Sequence, residues 1–133
     1  MPPLRTYNAF ISHAWDYHEP YCRMVKFLDG APNLSWHNYS VPKHNPKPGV
    51  NLEDELRNQI RPTHVVIVLA GMYVAYHGWI QKEIEIANAM HKPIIGVKPW
   101  GSERVPAAVT EAAEEIVGWN TSSVVAAIRR WAL

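Results

Sequence analysis

The run His64-Val-Val-Ile-Val-Leu-Ala70 constrains the fold more than any other part of the chain. A continuous apolar, β-branched stretch of this length suits a parallel strand covered on both faces. Helices must then supply the cover, and the flanking sequence offers them. Thr6–Ser12 reads as a first strand, followed by a helix beginning near Asp16 with Tyr21, Met24, Val25 and Leu28 on one face. Gly30 and Pro32 end it, and Leu34–Val41 reads as a second, edge strand. Pro42, Pro46, Pro48 and Gly49 break the chain before a helix capped by Asn51, carrying Leu52, Leu56 and Ile60 and ending at Pro62.

After the central run, the spacing predicts a helix over Tyr76–Met90, closed by Lys92-Pro93, and a buried strand over Ile94–Val97. A short helix over Pro106–Ala113, a last strand over Ile116–Trp119 and a helix over Ser122–Trp131 complete the pattern. Five strand–helix alternations predict an α/β, flavodoxin-like, doubly wound parallel sheet in the order 2-1-3-4-5. Ligands of such sheets bind beyond the carboxyl ends of the strands, beside strand 1. At 133 residues the expectation is one domain, residues 1–133.

Composition narrows the classes. Thirteen basic against 12 acidic residues give a net charge of +1, which offers no concentrated positive surface for nucleic acid or membrane. Cys22 is the single cysteine, which excludes an internal disulfide and a multi-thiolate metal site. No apolar run of about 20 residues is present, so no transmembrane helix is expected. The start, Met1-Pro-Pro-Leu-Arg, lacks an apolar signal core and implies a cytoplasmic protein. Neither phosphate-cradling glycine motif occurs. The histidines at 13, 18, 37, 44, 64, 77 and 91 lack metal-ligand spacing, and most read as ordinary surface or loop residues.

The sharpest chemical signal is Glu83. On a helical wheel with Ile80 at zero, Glu83 falls near −60°, between Trp79, Ile86 and Met90 on one side and Ala87, Ile80 and Ile84 on the other. Glu85 falls near +140°, with Gln81 and Asn88. One carboxylate is thus turned toward apolar neighbours, where charge requires a partner, a shifted pKa or a function. The plainer account is a glutamate at the rim of the core. Ser12, His13 and Asp16, in the loop after the first strand, suit a ribose and phosphates; a helix-cap loop explains them equally. Asn38 and Tyr39, on the strand beside it, offer an amide and an aromatic face.

Taken together, these segments are similar to a known family. Tyr7-Asn8-Ala9-Phe10-Ile11-Ser12-His13 resembles the first box of Toll/interleukin-1 receptor (TIR) domains. Trp79-Ile80-Gln81-Lys82-Glu83 matches the W-x-x-x-E pattern that carries the catalytic glutamate of NAD-consuming TIR enzymes. Trp36-His37-Asn38-Tyr39-Ser40-Val41-Pro42 is similar to the bacterial TIR-like family that includes ThsB of Thoeris antiphage systems. The loop over Pro42–Val50 departs from the second box of receptor TIR domains, which speaks against adaptor-style assembly through it.

The resemblance implies an enzyme that cleaves the nicotinamide–ribose bond of NAD with Glu83 as catalytic residue. Ser12, His13, Asp16, Asn38, Tyr39 and Trp79 would then be substrate-binding residues. It also implies an ADP-ribose-derived, cyclic second messenger and a separate effector protein activated by it. No metal and no cofactor beyond NAD as substrate are expected, and a homo-oligomer fits the family. Two other classes share the layout: a non-catalytic interaction module using Trp36, Trp79 and Trp100, and a nucleoside deoxyribosyltransferase-like enzyme.

Overall fold

A computed structural model of the chain describes residues 6–12, 18–31, 34–39, 52–69, 81–98, 107–118 and 120–132. Strand and helix alternate along them: β1 (Thr6–Ile11), α1 (His18–Gly30), β2 (Ser35–Asn38), α2 (Leu52–Ile60) and β3 (Val65–Leu69). The helical stretch 81–89 is α3. Then come β4 (Ile94–Val97), α4 (Ala107–Ala112), β5 (Glu115–Val117) and α5 (Thr121–Trp131). All five strands are parallel and lie in the order 2-1-3-4-5, the expected flavodoxin-like arrangement.

β3 is the reason. Every one of its residues is buried, and it pairs with β1 on one side and β4 on the other, where Ile94–Val97 are buried too. Right-handed crossovers place α2, α3 and α4 on one face, since each accompanies a step in the same direction across the sheet. The step from β1 to β2 runs the other way, so α1 covers the opposite face, and it is there that it meets α5. α1 seals its face with Met24 and Leu28, both fully buried, while Val25 is half-buried. Cys22 is half-buried on the same helix.

On the other face, α4 approaches β4 closely because residue 96 has no side chain. A Cβ on Gly96 would come within 2.5 Å of Ile116 Cδ1 and 3.0 Å of Val109 Cγ1. α3 ends in a paired cap: the His91 N–H donates to the Asn88 carbonyl and the Lys92 N–H to the Ala87 carbonyl, with His91 at φ 56°. This is the left-handed closure usually left to glycine. α5 starts from Asn120, whose side chain accepts from the Ser123 N–H at 2.8 Å.

The differences from the sequence reading lie at element ends. β2 spans four residues where eight were expected, and of its side chains Trp36 is the half-buried one. The Trp36 indole N–H donates to Asp29 at the end of α1 (2.9 Å), so that ring ties helix to strand. β5 begins at Glu115, not Ile116, because Glu115 is in register with Ile95. In α5, Val124, Val125 and Ile128 are buried, whereas Trp131 is 37% exposed. An indole N–H needs an acceptor when the ring packs, and Trp131 finds it in Glu115 at 2.9 Å, at the margin of the sheet. The expected helix starts at Asp16, Asn51 and Tyr76, and the strand end at Trp119, lie outside the described residues.

Candidate active site

Because every strand is parallel, the carboxyl ends of all five gather along one edge. Ser12 follows β1, Asn38 ends β2 and Tyr39 follows it, all at that edge. Ser12 is fully buried; its N–H donates to the Ile67 carbonyl (2.8 Å) and its hydroxyl oxygen accepts from the Leu69 N–H (3.2 Å). That pair of bonds carries the β1–β3 ladder beyond the strand and fixes how far apart the two strand ends sit. Ser12 thereby has a structural task as well as its place in the candidate site. Asn38 is exposed and in register with Ala9. Tyr39 is half-buried and held by its N–H to the Ala9 carbonyl, 2.9 Å.

Glu83 lies in the first described turn of α3 and is 0% exposed, with both carboxylate oxygens shielded from solvent. Ile84, Ile86 and Ala87 share its buried arc, and Glu85 and Asn88 face solvent. The helical period alone separates the two glutamates, and the burial follows the wheel; Gln81 differs from it in being half-buried. The height of Glu83 follows from the crossover. α3 returns from the carboxyl edge of β3 to the amino end of β4. Glu83 stands seven residues before Met90, a rise of about 10 Å. Ile94–Val97 rises about the same. Glu83 is therefore level with Val97 and its register partner Leu69, at the carboxyl edge.

A carboxylate removed from water at this edge acts through a weaker dielectric on any positive charge that develops beside it. The arrangement suits stabilisation of a cationic sugar centre. Of the expected site residues, the structure brings Ser12, Asn38, Tyr39 and Glu83 to one edge. His13, Asp16 and Trp79 lie outside the described residues. Among the described residues no group of His, Cys, Asp and Glu is placed to hold a metal ion, and no helix is long and apolar enough to cross a membrane.

The opposite, amino edge holds polar groups that the sequence reading left aside. His64, at the head of the central run, is half-buried, and its Nδ1 accepts from the Asn8 N–H at 2.9 Å. The His64 N–H donates back to the Asn8 carbonyl (2.7 Å), and the Asn8 side-chain amide donates to the Pro62 carbonyl (3.0 Å). The imidazole thus stands in for a backbone carbonyl one rung before β3 begins. At the amino end of β5, Glu115 accepts from Trp131 and Arg130. The Trp131 indole N–H, then the Arg130 guanidinium, hold its carboxyl below the usual range of about 4.5. The only sequence hint of either site was the residue pairing, which needs the strand register to be seen.

The sheet order and the buried glutamate at its carboxyl edge define a TIR-like α/β domain. The family model described as "Thoeris protein ThsB, TIR-like domain" matches residues 10–104, most of the chain, and the chain belongs to that family, a TIR-like domain of Thoeris defence. The matched span runs from β1 past β4 and includes Ser12, Asn38, Tyr39 and Glu83. No curated protein matches the chain.

Proposed function

We propose that the protein cleaves the bond between nicotinamide and ribose in NAD and releases an ADP-ribose-derived, cyclic second messenger in antiphage defence. The observation that carries this reading is Glu83, a carboxylate wholly withdrawn from solvent at the ligand-binding edge of the sheet. The nicotinamide ring of NAD bears a positive charge at the nitrogen joined to C1′. When the C1′–N bond breaks, its electron pair neutralises the ring, and nicotinamide leaves without prior protonation. Positive charge passes to the ribose, and a single carboxylate stabilises or briefly traps it, as in glycoside hydrolysis with the acid removed.

Attack by water at C1′ yields ADP-ribose, nicotinamide and a proton. Attack by a nucleophile of the same ligand yields a cyclic isomer, nicotinamide and a proton. Tyr39, half-buried at the same edge, suits a base folded back toward the ribose. In this reading His13, Asp16, Asn38 and Trp79 complete the substrate site. A separate effector protein responds to the diffusible product, a homo-oligomer is the working form, and the setting is the cytoplasm.

The test is nicotinamide release from NAD by the purified protein, followed by chromatography, with and without extract of phage-infected cells. Release that Glu83→Gln removes and Glu85→Gln leaves intact is the expected result. Release untouched by Glu83→Gln removes the residue from the mechanism. Turnover of deoxynucleosides in place of NAD moves the assignment to a deoxyribosyltransferase.

A further inference from the structure

The carboxyl edge holds a cation that the proposed reaction has not used. Lys98 directly follows β4, is exposed, and its N–H donates to the Val117 carbonyl at 2.8 Å. The ladder therefore continues through it, and its backbone is held while its side chain faces solvent. Strand alternation places Lys98 on the same sheet face as Gly96, two residues earlier. The Gly96 face is the one α4 packs on, since a Cβ there would meet Val109 and Ala113. The right-handed crossover puts α3, and with it the buried face of Glu83, over that same face. Lys98 and Glu83 thus share both a face and a height: Glu83 is level with Val97, the residue before Lys98.

The other described cations stand elsewhere. Arg57 and Arg61 lie at the end of α2 and Lys92 just before β4, at the amino edge; Arg129 and Arg130 stand in the last turn of α5, where Arg130 is engaged with Glu115. Arg23 and Lys26 ride on α1, on the far face. Lys82 is half-buried beside Glu83 and already has an interaction of its own.

We infer that Lys98 binds a phosphate of the dinucleotide, which makes a pyrophosphate-bearing substrate, rather than a nucleoside, the one this edge accepts. The inference rests on the proposed reaction at Glu83, because the reacting ribose and its phosphate are neighbours within one ligand. An ammonium group is a point donor to phosphate oxygens, and its contribution is screened by salt.

Calorimetric titrations of the Glu83→Gln protein with NAD, ADP, inorganic phosphate and nicotinamide riboside test it, compared with the same protein also carrying Lys98→Ala or Lys98→Arg. Loss of one charge-assisted phosphate contact is expected to weaken NAD and ADP about tenfold and to flatten their salt dependence. Nicotinamide riboside should bind equally to both proteins, and Lys98→Arg should restore most of the loss. Weakened inorganic phosphate with unchanged NAD and ADP overturns the assignment in favour of a free-anion site. Unchanged ADP affinity, or no binding of NAD and ADP at all, overturns it outright. If Glu83→Gln still releases nicotinamide while Lys98→Ala weakens ADP, the catalytic reading falls and the phosphate site stands.

Discussion

The two edges of the sheet are built from similar residues and used differently. At the amino edge, His64 completes the β1–β3 ladder, Asn8 reaches Pro62, His91 closes α3, and Glu115 gathers Trp131 and Arg130. Each of these groups is used to hold the chain together. At the carboxyl edge Ser12 bonds to a neighbouring strand in the same way, while Asn38 and Lys98 are exposed and Glu83 is buried among core residues. The lesson is a division of labour: one rim secures the fold, and the other carries the side chains that the proposed function assigns to a ligand. Parallel topology enforces it, because every loop after a strand opens on the same side.

The comparison is broken most severely if Glu83 proves structural. Glu83→Gln is expected to lower nicotinamide release by a factor on the order of 10² to 10³, as for loss of one preorganised electrostatic group. Its thermal midpoint should stay close to that of the unsubstituted protein, measured by circular dichroism. A collapse of the fold with no specific loss of rate would return Glu83 to the core. His64→Ala should do the reverse: about 1–2 kcal/mol less stable in urea, since the Asn8 N–H loses its acceptor, with the KM for NAD unchanged. A change in KM would mean that the amino edge takes part in binding.

Ser12→Ala sharpens the contrast, because Ser12 belongs to the carboxyl edge yet bonds like the other one. It should lose about 1 kcal/mol from the Leu69 contact. If Ser12 also touches substrate, KM rises as well; stability lost alone makes it a strand tie. The smallest effect is expected at Glu115. Its folded pKa lies below the ordinary carboxylate value, so its ionised form adds stability above that range, and the contribution fades as pH falls through the folded pKa. The melting difference between the protein and Glu115→Gln should be measurable at pH 7 and shrink on acidification below about 4.5, and salt should reduce it at neutral pH.

Periodicity carried a long way here. The apolar run of β3 is a local property, and it forced the sheet, its parallel sense and its covering helices. The separation of Glu83 from Glu85 is equally local, a matter of one angle on a wheel. What stayed hidden depends on partners distant in the chain. His64 pairs with Asn8, 56 residues away, and no pattern around either announces it. The start of β5 is set by register with Ile95, and the indole of Trp131 is held by Glu115, 16 residues away. The cap at His91 escaped for another reason: the left-handed position holds a residue that usually avoids it.

Gly96 ties these themes together. The hydrogen atom it carries in place of a methyl lets α4 rest directly on β4, two residues before Lys98. A single added carbon would wedge helix from strand and tilt the perch from which that ammonium reaches out. With Lys98 as the proposed phosphate ligand, specificity for an anion would be inherited partly from a residue with no functional group, and selection on that grip would register at Gly96 as a requirement for emptiness.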